Sequence, residues 1–138
     1  MATITFRAQG VPNVFREQAR LKKWLSKAAK DHGHSIGELN YVLLGDEALL
    51  AYNRRYLKHD TYTDVITFDG QTGTGVSGDV LMSVDRIREN AKTFGVPVQL
   101  ELRRVMVHGL LHLLGHSDTS KPKKAAMRVL EDAYLSRY

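Results

Sequence analysis

The chain has 138 residues, of which 43% are apolar and 25% charged, with a formal net charge of +5. That length makes one domain, residues 1–138, with a core of its own, and the balance excludes a disordered or fibrous chain. Cysteine is absent, which excludes a disulfide framework and a thiolate metal site, and no apolar run is long enough to span a bilayer. The positive excess suits a polyanionic partner such as RNA, although a soluble basic surface gives the same count.

Thr3 to Ala8 alternates as a first strand, so the amino terminus reads as fold and not as a signal peptide, and a cytoplasmic location is the expectation. Arg16 to His32 carries Leu21, Trp24, Leu25 and Ala28 at helical spacing, with Gly33 placed to end the helix. Leu39 to Leu44 is a second strand. Asp46 opens a short helix through Tyr56, with Ala48, Leu49 and Tyr52 as its expected apolar face. Thr63 to Phe68 is rich in β-branched residues and predicts a third strand. Asp69 to Ser77 holds three glycines and reads as loop.

Asp79 to Val84 predicts a fourth strand. Asp85 is the expected cap of a helix to Phe94, closed by Gly95-Val96-Pro97. Val98 to Leu114 is an apolar helix stopped at Gly115, and Lys121 to Leu135 is a last helix with Pro122 in its first turn. Four strands and five helices interspersed around one small sheet make the class α/β or α+β.

His108 and His112 stand four residues apart on the apolar helix. A four-residue step puts two side chains on one face, ~6 Å apart along the axis. Two imidazoles stacked on a greasy helix need a shared partner, and a divalent metal supplies one. A pair of core histidines bonded to backbone or water is the competing explanation. Gly115 stops the helix three residues after His112, and Asp118 follows three residues later. The spacing His-x-x-x-His-x-x-Gly-x-x-ligand matches metzincin-type sites, with aspartate in the final place.

Asp118 is therefore the preferred third ligand, and His116, immediately after the turn, is its competitor. Three protein ligands leave a position open for solvent, as in a catalytic zinc site. An aspartate ligand neutralises part of the ion's charge. One zinc ion is the first choice, with manganese or iron more competitive than at a three-histidine site. Gly109 stands where zincin proteases carry their general-base glutamate, which argues against peptide hydrolysis by that route.

His-Gly-Leu-Leu-His-Leu-Leu-Gly, residues 108–115, resembles the signature of the YbeY endoribonucleases, or rRNA maturation factors. Two further blocks agree. One is Asn53-Arg54-Arg55-Tyr56 with Asp60 and Thr63-Asp64-Val65-Ile66-Thr67-Phe68; the other is Gly78-Asp79-Val80. The resemblance runs from the first strand to the final helix. It implies a single α+β domain, a small mixed four-stranded sheet packed with about five helices, with a metal at the end of the histidine helix. It also implies a cytoplasmic, metal-dependent hydrolase of single-stranded RNA phosphodiesters. Its expected roles are ribosomal RNA maturation, chiefly at the 3′ end of the small-subunit species, and ribosome quality control.

The chain departs from the family pattern twice. Asp118 stands where the usual third ligand is histidine, and Leu57 stands where the family carries an arginine for RNA binding or catalysis. Arg54, Arg55 and Lys58 are the cations nearest to that position and the candidates for phosphate contact. A solvated helix face explains them equally. His116 is a candidate acid or base near the ion, and Thr63 and Asp64 are candidates to line the cleft. The alternative function is a ribosome-associated assembly factor whose metal is structural. An iron oxygenase with two histidines and one carboxylate is a further, weaker alternative.

Overall fold

A computed structural model describes residues 3–70 and 75–138. Its elements in chain order are β1 Thr3–Ala8, α1 Gln18–Asp31, β2 Ile36–Leu44, α2 Asp46–Tyr56, β3 Val65–Asp69, β4 Val76–Ser83, α3 Val84–Phe94, α4 Val98–Leu113 and α5 Lys121–Leu135. The sheet order is β1-β2-β4-β3. β1 and β4 pair parallel to β2, and β3 pairs antiparallel to β4. The mixed four-stranded sheet with five helices is the α+β domain expected from the sequence.

The two parallel inner strands are covered on both faces, which explains the unbroken buried run Tyr41–Leu44 in β2. Alternate residues divide the core in two. Leu39, Tyr41 and Leu43 of β2, with Val80 and Met82 of β4, face the main core with Trp24 and Leu25 of α1 and Met106, Leu110 and Leu111 of α4. Val42, Leu44, Ile66 and Leu81 face the opposite side with Leu49 of α2. α4 and α2 therefore lie on opposite faces of the sheet. The hydroxyl of Tyr41, buried under α4, donates to the Met106 carbonyl at 3.0 Å.

Several local expectations are corrected. The buried face of α2 is Leu49, Leu50 and Asn53; Ala48 and Tyr52 are exposed. Asp85 does not cap α3. Ser83 does, accepting from the Arg86 N–H at 3.1 Å while its hydroxyl donates to Asp46 at 2.7 Å. Asp85 instead accepts from the Asp46 N–H at 2.8 Å, tying α3 to the start of α2. The segment read as loop is shorter, because β3 extends to Asp69 and β4 begins at Val76. The rest of that loop, residues 71–74, lies outside the described residues. β2 begins at Ile36, three residues early, and α1 begins two residues late at Gln18. No helix among the described residues is long and apolar enough to cross a membrane.

Candidate metal centre

α4 ends where its sequence predicts. The N–H groups of Gly115 and His116 bond back to the His112 and Leu111 carbonyls at 3.0 Å each, closing the last turn. That closure holds Gly115 at φ 103°, a backbone conformation open to glycine at little cost. The chain then doubles back and carries Asp118 beneath the helix.

His108 Nε2 and His112 Nε2 stand 3.0 Å apart, and Asp118 Oδ2 lies 3.5 Å from each. Donors about 2.1 Å from a tetrahedral zinc are separated by about 3.4 Å, so the triangle has the right size for one ion. All three residues are partly buried, and the group could hold a metal. Lone pairs packed this closely repel unless a proton or a cation sits among them. His116, the competing ligand, is elsewhere: its Nε2 meets His32 Nε2 at 2.8 Å. Burial, then His32 and His112, hold the His116 imidazolium below its ordinary pKa.

Glu131 of α5 is the site residue that the sequence reading missed. Its Oε2 accepts from His108 Nδ1 at 2.6 Å, and Arg104 Nη1 donates to its other oxygen at 3.0 Å. Glu131 is buried at 5% exposure. With Nδ1–H committed to Glu131, the lone pair of His108 Nε2 points into the triangle, the arrangement that orients metal-bound histidines. Burial on its own lowers the His108 pKa. The hydrogen bond and charge of Glu131, with Asp118 and Asp64, outweigh it, and the imidazolium stands above its ordinary value. The available signal was Glu131 on the same helical face as Met127 and Tyr134, a carboxylate in an apolar stripe.

A cavity of about 370 Å³ opens beside the triangle, lined by His108, Asp118 and Glu131 and by Asp64, Glu101, Arg104, Phe94, Lys124 and Arg128 among others. Asp64, just before β3, thus faces the cleft; burial pushes its carboxyl up, and His108 pulls it partly back. Glu101, in the first turn of α4, is also raised by burial and opposed by Arg104.

Arg54, Arg55 and Lys58 do not line this cavity. They cluster at the end of α2, where Arg54 pairs with Asp60 and the Arg55 guanidinium sits 5.4 Å from the Tyr56 ring centroid. Lys58 occupies a left-handed turn at φ 55°, and the buried Asn53 amide holds that turn by donating to the Thr61 carbonyl at 2.8 Å. Leu57 is 44% exposed. Gly109 is packed against the sheet: a Cβ there would meet Val80 Cγ1 at 2.6 Å. A glutamate at that position has no room on this fold.

Comparison with known proteins agrees with this architecture. The family profile described as Endoribonuclease YbeY matches residues 5–138. The Endoribonuclease YbeY of Cytophaga hutchinsonii is 44% identical over 135 residues, 97% of this chain and 94% of its own length. That of Flavobacterium psychrophilum is 43% identical over 123 residues, 89% of this chain and 88% of its own. The solution structure of TM1509 from Thermotoga maritima shares the fold at a TM-score of 0.66 and 23% identity, covering 97% of this chain and 87% of that one. With the sheet, the histidine helix and the returning aspartate in place over the full matched length, the chain belongs to the YbeY endoribonuclease family.

Proposed function

We propose that this protein is a metal-dependent, single-strand-specific endoribonuclease. Its proposed roles are the maturation of ribosomal RNA, at the 3′ end of the small-subunit species, and ribosome quality control in the cytoplasm. The observation that carries this reading is the convergence of His108 Nε2, His112 Nε2 and Asp118 Oδ2 at the edge of an open cavity in a chain of this family.

These three residues would hold one divalent ion, zinc first. Such an ion supplies Lewis acidity toward a phosphoryl oxygen and lowers the pKa of water. Glu131 keeps the His108 ring in the tautomer that a cation needs and shares a negative charge with it through a 2.6 Å hydrogen bond. Asp64, raised by burial, faces the same space and holds a proton more readily than an exposed aspartate. Lys124 and Arg128 give the cavity wall positive charge for a phosphate. Arg54, Arg55 and Lys58 stand outside the cavity and are not part of this phosphate site.

The second reading, an assembly factor with a structural metal, is favoured by the two departures from the family pattern, Asp118 and Leu57. His112→Ala separates the two. The expected result is a folded protein with little bound metal, no cleavage of single-stranded RNA, and retained binding to ribosomal RNA. Cleavage by a folded, metal-free variant would refute the nuclease reading.

A further inference from the structure

Phe94 is the last residue of α3 and is 55% exposed. Among the described large apolar side chains with this much exposure, it is the one that borders the cavity shared by His108 and Asp118. The fold does not use the ring: α3 is anchored by Val84, Ile87 and Ala91. Arg128 of α5 places its guanidinium 5.6 Å from the Phe94 centroid, within cation–π range.

Charges of both signs line the cavity. Asp64, Glu101, Asp118 and Glu131 line it with Arg104, Lys124 and Arg128. Arg104 is committed to Glu131 and Asp132 at 3.0 and 2.7 Å. Among the described residues, neither Lys124 nor Arg128 has a carboxylate at ion-pair distance. Both project from α5, one and two turns before Glu131, whose charge is taken up by His108 and Arg104, and Phe94 stands beside Arg128. A single RNA strand offers both things these side chains lack: phosphates, and base faces free to stack on an aromatic ring or a guanidinium plane. A duplex has its faces already stacked and cannot offer them.

Resting on the function proposed above, we propose that Phe94 and Arg128 form a stacking platform for one unpaired base of the RNA strand, next to the phosphate at the histidine–aspartate cluster, with Lys124 taking the adjoining phosphate. The platform is a specificity device. It selects single strands by demanding a base that can leave its stack, and it fixes the strand's register over the metal centre.

The test is the equilibrium binding of a fluorescently labelled single-stranded RNA octamer, read by anisotropy in chelating buffer, where metal-dependent cleavage is suppressed. Phe94→Ala is expected to weaken binding about five- to hundredfold, the range for loss of one stacked base, while Phe94→Trp stays close to the wild type. A scan of abasic substitutions through the octamer adds the decisive arm. At one position the abasic site costs the wild type heavily and costs Phe94→Ala nothing more. Equal affinity of Phe94→Ala and wild type, or abasic losses identical in the two proteins at every position, would overturn the platform. The melting temperature of Phe94→Ala, expected within a degree or two of wild type, excludes a loss of fold. Cleavage assays with added metal keep the two proposals apart. A wild type that cuts RNA with a KM indifferent to Phe94→Ala sinks the platform alone. A wild type that binds through Phe94 and never cuts sinks the nuclease and leaves the platform standing.

Discussion

Glu131→Gln is the most searching perturbation of the candidate metal centre. The carboxylate accepts from His108 Nδ1 at 2.6 Å with one oxygen and from Arg104 Nη1 at 3.0 Å with the other. A carboxamide has one acceptor oxygen, so it satisfies His108 or Arg104 but turns an N–H₂ toward the remaining donor. The charge that favours the His108 imidazolium is lost as well. Replacing such a partner of a metal-bound histidine costs about 10–100-fold in metal affinity, or about 1.4–2.7 kcal/mol. At a fixed saturating zinc concentration the stabilisation by the ion falls by the same amount. For a domain of this size the zinc-induced rise in Tm then shrinks by about 5–9 °C.

The assay is competition for zinc against a chromophoric chelator from pH 5.5 to 8.5, with thermal melts in zinc and in chelator. The ion must displace the His108 proton, so wild-type affinity climbs with pH until pH passes the raised His108 pKa. In the variant that limb moves to lower pH, although the plateau is weaker. In chelator the charged pair stabilises the wild type fully below the ordinary histidine pKa. That contribution is lost as pH rises through the raised value, so Glu131→Gln flattens this dependence. An unchanged zinc plateau would refute the assigned role. A loss of Tm equal in zinc and in chelator would mark Glu131 as a structural residue only.

Asp118→Ala is expected to lower zinc affinity by at least the same 10–100-fold and abolish cleavage. Asp118→His should restore binding and move the alkaline rise of cleavage to lower pH, since a neutral ligand leaves more charge on the ion; pH–rate profiles check this. His116→Ala should leave zinc affinity, measured by the same competition, within twofold, because His116 meets His32 and not the triangle. Gly109→Ala should destabilise the fold by about 1–3 kcal/mol in urea unfolding, because the added methyl would sit 2.6 Å from Val80.

All nine elements among the described residues were legible in the sequence within about three residues at each end, because apolar periodicity and the helix stops act over a few residues. The strength of local geometry is clearest at the candidate metal centre. A step of four along a helix and a glycine turn of fixed hand bring His108, His112 and Asp118 together whatever the rest of the fold does. The cap of α3 was misjudged because Ser83 and Asp85 are both good capping residues, and the choice fell to Asp46, 37 residues before Ser83, which engages both. On α2, the residues facing the sheet were decided by the second core cluster and not by the helix's own pattern.

What only the tertiary structure decided was which residues meet across elements. Glu131 reaches His108 from 23 positions away, and Phe94 and Arg128 meet from different helices. The basic end of α2 is held on the sheet face opposite the histidine helix, which moves Arg54, Arg55 and Lys58 out of the cavity that their place in the motif suggested. Local sequence sets backbone conformation and the residues one turn apart. The packing of helices on a sheet depends on every apolar face at once, and no single segment records it.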